Sequence, residues 1–209
     1  MLTEARVRQL LAPFELKLTA SQVGRILTYL DLLERWNRKI NLTGVRDPEA
    51  CVTRHFGESL YLGRWVELDG RLLDIGSGAG FPGLALKIAF PALAVTLLEP
   101  IAKKRAFLKE VARTCEMKLV EVAGERLEDF ARRDPPERFD TATARAVGGL
   151  DVLVSLASLC LKPGGRIILW LSEKQASSLH RLESRVAWQP PIPLSHHGVI
   201  CCGRPEGST

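Results

Sequence analysis

One glycine-rich segment, residues 74–83 (DIGSGAGFPG), constrains the fold of this chain more than any other. It follows a short apolar run, Leu72-Leu73-Asp74-Ile75, that predicts a strand, and it leads into a helix expected to begin near Pro82. Glycines in such a turn allow positive φ and let a ligand approach the backbone closely. Ligands bind at the carboxyl ends of the strands in α/β sheets. The segment therefore predicts an α/β fold with a cofactor held on this turn.

Two cofactors fit the turn in different frames. The frame from Gly78 to Gly83 matches G-x-G-x-x-G, in which a dinucleotide pyrophosphate lies on the helix N-terminus. The second frame has one aspartate and three glycines: Asp74, Gly76, Gly78 and Gly80. Its carboxylate suits the ammonium group of S-adenosylmethionine and would repel a pyrophosphate, so Asp74 favours S-adenosylmethionine over NAD. Glu99, at the end of the next predicted strand, would accept ribose hydrogen bonds from either cofactor. The third interpretation is that the glycine-rich turn binds no ligand.

The chain divides into a helical part and a part in which strands and helices alternate. Thr19 and Gln22 have capping-box spacing, and apolar residues then repeat at helical period to about residue 40. Asp47-Pro48-Glu49 starts another helix with an N-cap, a proline at the first helical position and an acid in the first turn. We predict a helical extension over residues 1–65 and a Rossmann-like domain over residues 66–209.

Near-continuous apolar strands in the second part predict a buried, mostly parallel sheet. Residues 162–165 (KPGG) predict a turn before the fifth strand, residues 166–171. Residues 186–194 and 197–203 could add an antiparallel pair, whose first strand Pro190, Pro191 and Pro193 would confine to an edge or break. The predicted class is therefore the class I methyltransferase fold, a Rossmann-like, seven-stranded sheet with an antiparallel last strand and an N-terminal helical extension.

Charge and cysteine content narrow the partners and the compartment. Lys and Arg total 29 against 24 Asp and Glu, a net charge of +5 that suits a polyanionic partner. Five cysteines without C-x-x-C spacing favour reduced thiols in the cytoplasm. The longest apolar stretch is shorter than the roughly 20 residues that span a bilayer, and no signal-peptide pattern is seen. We expect a cytoplasmic protein without a membrane segment or a metal site, and a monomer.

Three blocks of sequence closely resemble the RsmG (GidB) family, whose members methylate guanine N7 in bacterial 16S ribosomal RNA. The blocks are residues 36–48 (WNRKINLTGVRDP), Arg54-His55 with Glu58-Ser59-Leu60, and residues 74–84. The similarity covers nearly the whole chain from about residue 20. It implies a methyltransferase fold, S-adenosylmethionine as cofactor, and 16S rRNA or the small ribosomal subunit as partner, with guanosine 527 as the target.

The resemblance also implies a set of site residues. Cofactor contacts are implied for Gly76, Phe81, Leu127, Glu128 and Arg145, beside the Asp74, Gly78, Gly80 and Glu99 of the turn and second strand. Arg145 is the predicted catalytic residue, and its alternative role is a structural ion pair with Asp74 or Glu128. Predicted RNA contacts are Asn41, Arg46, His55, Lys103 and Lys104. Asn41 as a helix C-cap and His55 as a partly buried polar residue are the structural alternatives.

The chain departs from the family pattern at four places. Glutamates stand at 58 and 99 where the family usually has aspartate, and Ala144 replaces a serine. Leu171-Ser172 replaces a Lys-Gly pair, for which Lys174 could substitute.

Three rival functions remain open: a methyltransferase acting on a small molecule or protein, an NAD-dependent oxidoreductase, and a non-catalytic RNA-binding relative.

Overall fold

The computed structural model describes residues 2–133, 138–179, 186–195 and 198–206. The helical N-terminal part has α1 (Glu4–Leu11), a 3₁₀ turn (Ala12–Phe14), α2 (Ala20–Asn37), α3 (Pro48–Cys51), a π-helical stretch (Val52–Gly57), α4 (Glu58–Leu60) and a second 3₁₀ turn (Tyr61–Arg64). The remaining elements are β1 (Arg71–Ile75), α5 (Gly83–Ala89), β2 (Ala94–Leu98), α6 (Ala102–Thr114), β3 (Val120–Ala123), α7 (Leu127–Phe130), β4 (Phe139–Arg145), α8 (Leu150–Leu159), β5 (Leu161–Ser172), α9 (Glu173–Leu179), β6 (Val186–Trp188), β7 (Ile192–Pro193) and β8 (Gly198–Pro205).

The described strands form one eight-stranded sheet in the order β3-β2-β1-β4-β5-β8-β6, with β7 also paired to β8. Strands β1 to β5 are parallel, and β8 runs antiparallel to β5. The predicted class I methyltransferase architecture is confirmed. The strand count is eight rather than seven because the strand beside β8 is broken into β6 and β7 around Pro190 and Pro191, which cannot donate to a ladder.

One sequence prediction in the second half was wrong, and one falls partly outside the described residues. Residues 162–165 belong to β5 itself rather than to a turn before it. The register with β4 shifts there, since Phe139 lies opposite Leu161 and Thr141 lies opposite Arg166. Gly164 has a φ of 74°, so the Pro-Gly-Gly sequence forms an irregularity inside the strand. His197, predicted to begin the last strand, lies outside the described residues.

The predicted helix starts are confirmed by their hydrogen bonds. The Gln22 side chain accepts from the backbone N–H of Thr19 at 2.8 Å, and the Thr19 hydroxyl accepts from the N–H of Gln22 at 3.2 Å. Asp47 caps α3 by accepting from the N–H of Ala50 at 2.7 Å. These short-range signals fix where the chain enters α2 and α3 because they satisfy amides that have no partner inside the helix.

The extension and the sheet share one apolar cluster. It runs from Val7 in α1 and Leu33 in α2 to Leu72 in β1 and Leu84 in α5, all 4% exposed or less. A second cluster lies on the other sheet face beneath α8 and α9. All five cysteines are buried and free, and none of the described helices is long and apolar enough to cross a membrane. The division at residue 65 stays a prediction, with a core that continues across it.

The turn after α2 depends on Asn37, which the sequence did not single out. Its Oδ1 accepts from the N–H groups of Leu42 (2.9 Å) and Thr43 (3.2 Å), and its Nδ2 donates to the Thr43 carbonyl (2.9 Å). Asn41 is exposed, and its Oδ1 lies 3.5 Å from the Arg46 guanidinium. The capping role considered for Asn41 therefore belongs to Asn37.

Asn37→Ala should lower the free energy of unfolding by about 2–4 kcal/mol, because three hydrogen bonds are lost and buried backbone groups are left without partners. Asn41→Ala makes the same chemical change four residues later on an exposed side chain, and its effect should stay within about 0.5 kcal/mol. Urea unfolding of both variants measures the difference. Equal losses in the two variants would contradict the assignment of the turn to Asn37.

Candidate functional site

A cleft of about 320 Å³ opens at the carboxyl ends of β1 and β4. The strand order reverses between these two strands, which is where ligands bind in open α/β sheets. Its wall is formed by the loop after β1, the end of β4, α6 and the extension: Leu42, Thr43, Gly44, His55, Gly76, Ser77, Gly78, Ala79, Phe81, Lys104, Arg145 and Ala146. The predicted cofactor turn and the helical extension thus meet at one place.

The four loop glycines serve two purposes. Gly76 and Gly78 line the cleft with φ values of 67° and 54°, and a Cβ on Gly78 would meet nothing closer than 3.7 Å. A Cβ on Gly80 would instead collide with the Tyr29 hydroxyl. A Cβ on Gly83 would lie 2.7 Å from the Asp74 carboxylate. Gly76 and Gly78 therefore place backbone at the cleft wall, although a Cβ on Gly76 would lie 3.1 Å from Val147, and the other two glycines allow close packing beneath the loop.

Tyr29 on α2 fastens the extension to this loop. It is fully buried, its hydroxyl donates to the Ala79 carbonyl, and burial raises its pKa well above the usual value. Its ring stacks on Phe81 with a centroid distance of 5.2 Å and an interplanar angle of 4°. His55 also stacks on Phe81, at 4.8 Å and 22°. No sequence motif singled out Tyr29, which lies inside the helix predicted to run to about residue 40.

Asp74 lies behind the loop and not on the cleft wall. It is fully buried, and its Oδ1 accepts from the Thr143 hydroxyl at 2.9 Å. Burial raises its pKa to about 6, although hydrogen bonds from Thr143, Ser77 and Gly83 favour the ionised form. The carboxylate faces the start of α5 at Gly83. Direct contact with a cofactor ammonium group stays a prediction, and what the structure shows is support of the loop from below.

The other predicted cofactor residues follow the neighbouring strands. Glu99, after β2, is 3% exposed and accepts from the N–H groups of Gly78 (2.9 Å) and Ile101 (2.8 Å). Leu127 and Glu128 begin α7, after β3, and are half-buried and exposed respectively. None of these three lines the cleft at the β1–β4 junction. With the loop they form a row along the carboxyl edge of the sheet.

Arg145 ends β4 with a side chain 19% exposed and links the sheet to the extension. Its Nη2 donates to Glu58 at 2.6 Å and to the Arg54 carbonyl at 2.8 Å. The ion-pair partners considered from the sequence, Asp74 and Glu128, were wrong: the partner is Glu58. Among the described residues, no hydrogen-bond acceptor meets the buried Nη1 of Arg145. The Nη2 side of the guanidinium is thus fixed by two acceptors, and the buried Nη1 is a second donor without one within the ranges that the structure describes.

The structure separates the predicted RNA residues. His55 and Lys104 line the cleft with Arg145, and His55 Nε2 lies 2.8 Å from the Thr43 hydroxyl. Lys103 is exposed and borders an adjoining hollow of about 360 Å³ with Arg35, Trp36, Lys39, Ile40 and Glu110. Asn41 and Arg46 lie outside the wall on the turn after α2, where an Arg46 Nη1 donates to the Asn37 carbonyl at 2.8 Å.

Some wall residues were not identified from the sequence. Thr43 and Gly44 stand in the 36–48 block but carried no assigned role. Ala146 has a φ of 55°, an uncommon conformation for a residue with a Cβ, and no sequence signal marks it. Lys174 is exposed at the start of α9 and does not line the cleft. Within the described residues, no group of three His, Cys, Asp or Glu side chains could hold a metal ion.

Solved methyltransferase structures share the fold. A ribosomal protein L11 methylase of Lactobacillus delbrueckii superposes with a TM-score of 0.59 at 16% identity, covering 71% of this chain and 79% of that one. A precorrin-6y C5,15-methyltransferase of Geobacter metallireducens gives 0.53 at 16% identity, covering 78% and 90%. At these identities the likeness describes the architecture alone.

Sequence comparison is more specific. The family model GidB, described as rRNA small subunit methyltransferase G, matches residues 22–200. Proteins named ribosomal RNA small subunit methyltransferase G are 43% identical over 168 residues in Chloroflexus aggregans and 36% identical over 156 residues in Alkaliphilus oremlandii. The alignments cover 79% and 73% of this chain, and 71% and 65% of those relatives.

Tyr29→Phe should loosen the loop, because the buried Ala79 carbonyl loses its partner at a cost of about 1–3 kcal/mol. Hydrogen exchange of the amides of residues 76–80 should then speed up by about 5- to 100-fold. Tyr61→Phe, the same change at the other tyrosine of the chain, is the matched control and should leave these amides unchanged. Unaltered exchange in Tyr29→Phe would show that the hydroxyl does not hold the loop.

His55 should stay neutral at pH 6, because burial, and then the charges of Arg145 and Arg54, lower its pKa from 6.5 to about 4. The unfolded chain takes up this proton first, so this residue's contribution to stability is complete above about pH 6.5 and declines as the pH falls to about 4. NMR titration of the ring, assigned through the spectrum of His55→Gln, measures the midpoint. A midpoint near 6.5 would contradict the half-buried placement of the His55 ring beside Arg145 and Arg54.

Proposed function

The chain belongs to the GidB family, rRNA small subunit methyltransferase G, and from this premise we propose that its cleft transfers a methyl group from S-adenosylmethionine to N7 of a guanosine in 16S ribosomal RNA. Guanosine 527 as the target, the small subunit as the substrate and the cytoplasm as the location belong to the same proposal. The observation that carries it is Arg145, a cation at the β1–β4 junction whose Nη2 pairs with Glu58 and whose buried Nη1 has no acceptor among the described residues.

The residues present fit S-adenosylmethionine better than a dinucleotide. A pyrophosphate would need the start of α5, where the third glycine of the dinucleotide pattern, Gly83, packs against the Asp74 carboxylate. The open backbone lies instead at Gly76 and Gly78, beside Arg145. We assign the amino-acid end of the cofactor to that backbone and its ribose to Glu99, with Leu127 and Glu128 toward the adenine. These roles agree with the row of strand ends described above.

The bound cofactor supplies an electrophilic methyl group, and the residues of this chain supply position. Guanine N7 has a lone pair and no proton, so it bonds to the methyl carbon while the carbon–sulfur electron pair returns to sulfur. No residue has to remove a proton from the base, so the reaction needs no general base. The acceleration then comes from holding N7 in line with the methyl group.

Arg145 is the residue we assign to that task. Its available donor suits an acceptor such as the guanine O6 or the cofactor carboxylate. The guanine ring becomes positively charged on N7 methylation, and an unpaired arginine beside it would oppose the reaction. Glu58, 2.6 Å from Arg145, offsets that charge while leaving the donor in place. The pair can therefore orient the base without repelling the product.

RNA backbone contacts are assigned to the cations around the cleft. Lys104 lines the cleft. Lys103, one residue earlier on α6, borders the hollow beside Trp36 and Lys39. Asn41 and Arg46 stand exposed on the turn beside it. Phosphate contacts of this kind fix the register of the nucleic acid, while the cleft selects the base.

Arg145→Gln should reduce methyl transfer to small ribosomal subunits by about 100-fold or more, as expected when a reacting group loses its alignment. The assay is incorporation of labelled methyl from S-adenosylmethionine, with the modified base mapped as N7-methylguanine. Arg113→Gln, an exposed arginine at the end of α6, is the control and should retain wild-type rates.

Because Arg145→Gln leaves Glu58 buried without its cation, the double variant Arg145→Gln, Glu58→Gln should recover stability but not transfer. Wild-type transfer by Arg145→Gln would remove Arg145 from the mechanism, and no transfer by the unaltered protein would reject the function.

A further inference from the structure

A second cavity of about 480 Å³ lies at the opposite end of the sheet from the cleft. It is lined by residues 65–67, which lead from the extension into β1, by Arg166 on β5, and by residues 187–189 and 202–204 at the β6–β8 edge. Trp170 on β5 lies opposite Arg145 at the cleft edge. Arg166 comes four residues before Trp170, so it lies about 13 Å along the strand from that edge. Nothing in the proposed methyl transfer uses this cavity.

Two residues of its lining carry buried hydrogen-bond donors without acceptors. Within the described residues, neither Arg166 Nε nor Trp188 Nε1 has a hydrogen-bond partner. The Trp188 indole is held against the Gly203 backbone, where an added Cβ would lie 2.6 Å from the ring. Buried donors without partners are rare in folded proteins because they lose their hydration without replacement. Two of them on one cavity indicate an occupant rich in hydrogen-bond acceptors.

The charged residues that line the cavity indicate which kind of ligand it would bind. Arg166 donates to the Glu67 carbonyl at 3.3 Å and Arg204 donates to the Gly164 carbonyl at 2.5 Å. Both guanidiniums are thus oriented by uncharged backbone, and neither has an ion pair in the described part of the chain. Among the described residues that line the cavity, Glu67 is the one acid. The balance is positive, which suits an anionic ligand such as a phosphate.

An aromatic surface stands next to these donors. Trp65 lines the cavity and is 57% exposed, although large aromatic side chains are usually covered. An exposed indole beside arginines is the combination with which proteins bind single-stranded nucleic acid, by stacking a base and pairing the neighbouring phosphate.

We propose that this cavity is a second contact site for the RNA substrate, in which a phosphate binds between Arg166, Arg204 and Trp188 Nε1 while an unpaired base stacks on Trp65. The inference rests on the proposed function for the identity of the polymer. It adds a site that reads a nucleotide away from the one methylated, with Arg166 on β5, the strand that pairs with β4. The site would select substrates in which single-stranded RNA reaches both ends of the sheet.

The test uses Trp65→Ala and Arg204→Gln in the full chain, with Leu119→Ala and Arg113→Gln as controls at exposed positions outside the cavity. Affinity for 16S rRNA is measured over a range of salt concentrations, and affinity for S-adenosylhomocysteine by calorimetry. Trp65→Ala should weaken RNA binding by about 5- to 100-fold, the effect of losing one stacked base. Arg204→Gln should weaken it and lower the salt slope by about one. S-adenosylhomocysteine binding should be unchanged in all four variants.

The proposal is overturned if Trp65→Ala and Arg204→Gln bind 16S rRNA as tightly as their controls do. It is also overturned if both variants bind naked rRNA normally and lose affinity only for a ribosomal protein. The outcome is separable from that of the methyl-transfer assay. A protein that transfers methyl groups but shows no effect at Trp65 loses only the second site. A protein that binds rRNA through Trp65 without transferring methyl groups loses only the catalytic assignment.

Discussion

The hydrogen bond from the buried Tyr29 hydroxyl to the Ala79 carbonyl is the contact on which the cleft depends. It joins α2 to the loop after β1 across fifty residues of sequence, and the stacking of Tyr29 and His55 on Phe81 extends the same junction. Gly80 has no side chain because the hydroxyl occupies that space. The extension is therefore part of the loop's support, which explains why it shares an apolar cluster with the sheet instead of forming a core of its own.

Arg145 and Glu58 make the second junction between the two parts of the chain. Glu58 belongs to the helical segment and Arg145 ends a sheet strand, so their 2.6 Å ion pair spans the cleft wall. A buried pair of this kind adds little net stability, because desolvation offsets most of the attraction. Its effect is geometric, since it holds the Arg145 guanidinium in one orientation, and in the proposed reaction it would also offset that charge where the base becomes cationic.

Local chemistry made much of the fold readable in advance. The capping box at Thr19, the N-cap at Asp47 and the glycine turn after β1 each involve residues within a few positions of one another, and the structure has all three. The prolines near residue 190 foretold the broken strand for the same reason. The turn predicted for the Pro-Gly-Gly segment was wrong. Residues that favour a turn also suit an irregular strand, and only the pairing with β4 distinguishes the two.

The sequence by itself determined most of the element types and the sheet class, which follow from periodicity and turn residues, and the family, which follows from three blocks of similar sequence. Only the tertiary structure decided which side chains meet. It placed Asp74 beneath the loop, gave Arg145 the partner Glu58 and left Asn41 outside the wall. It also brought Trp65, Arg166 and Arg204 to one cavity. Contacts between residues tens of positions apart depend on how strands and helices pack, and no local pattern encodes that geometry.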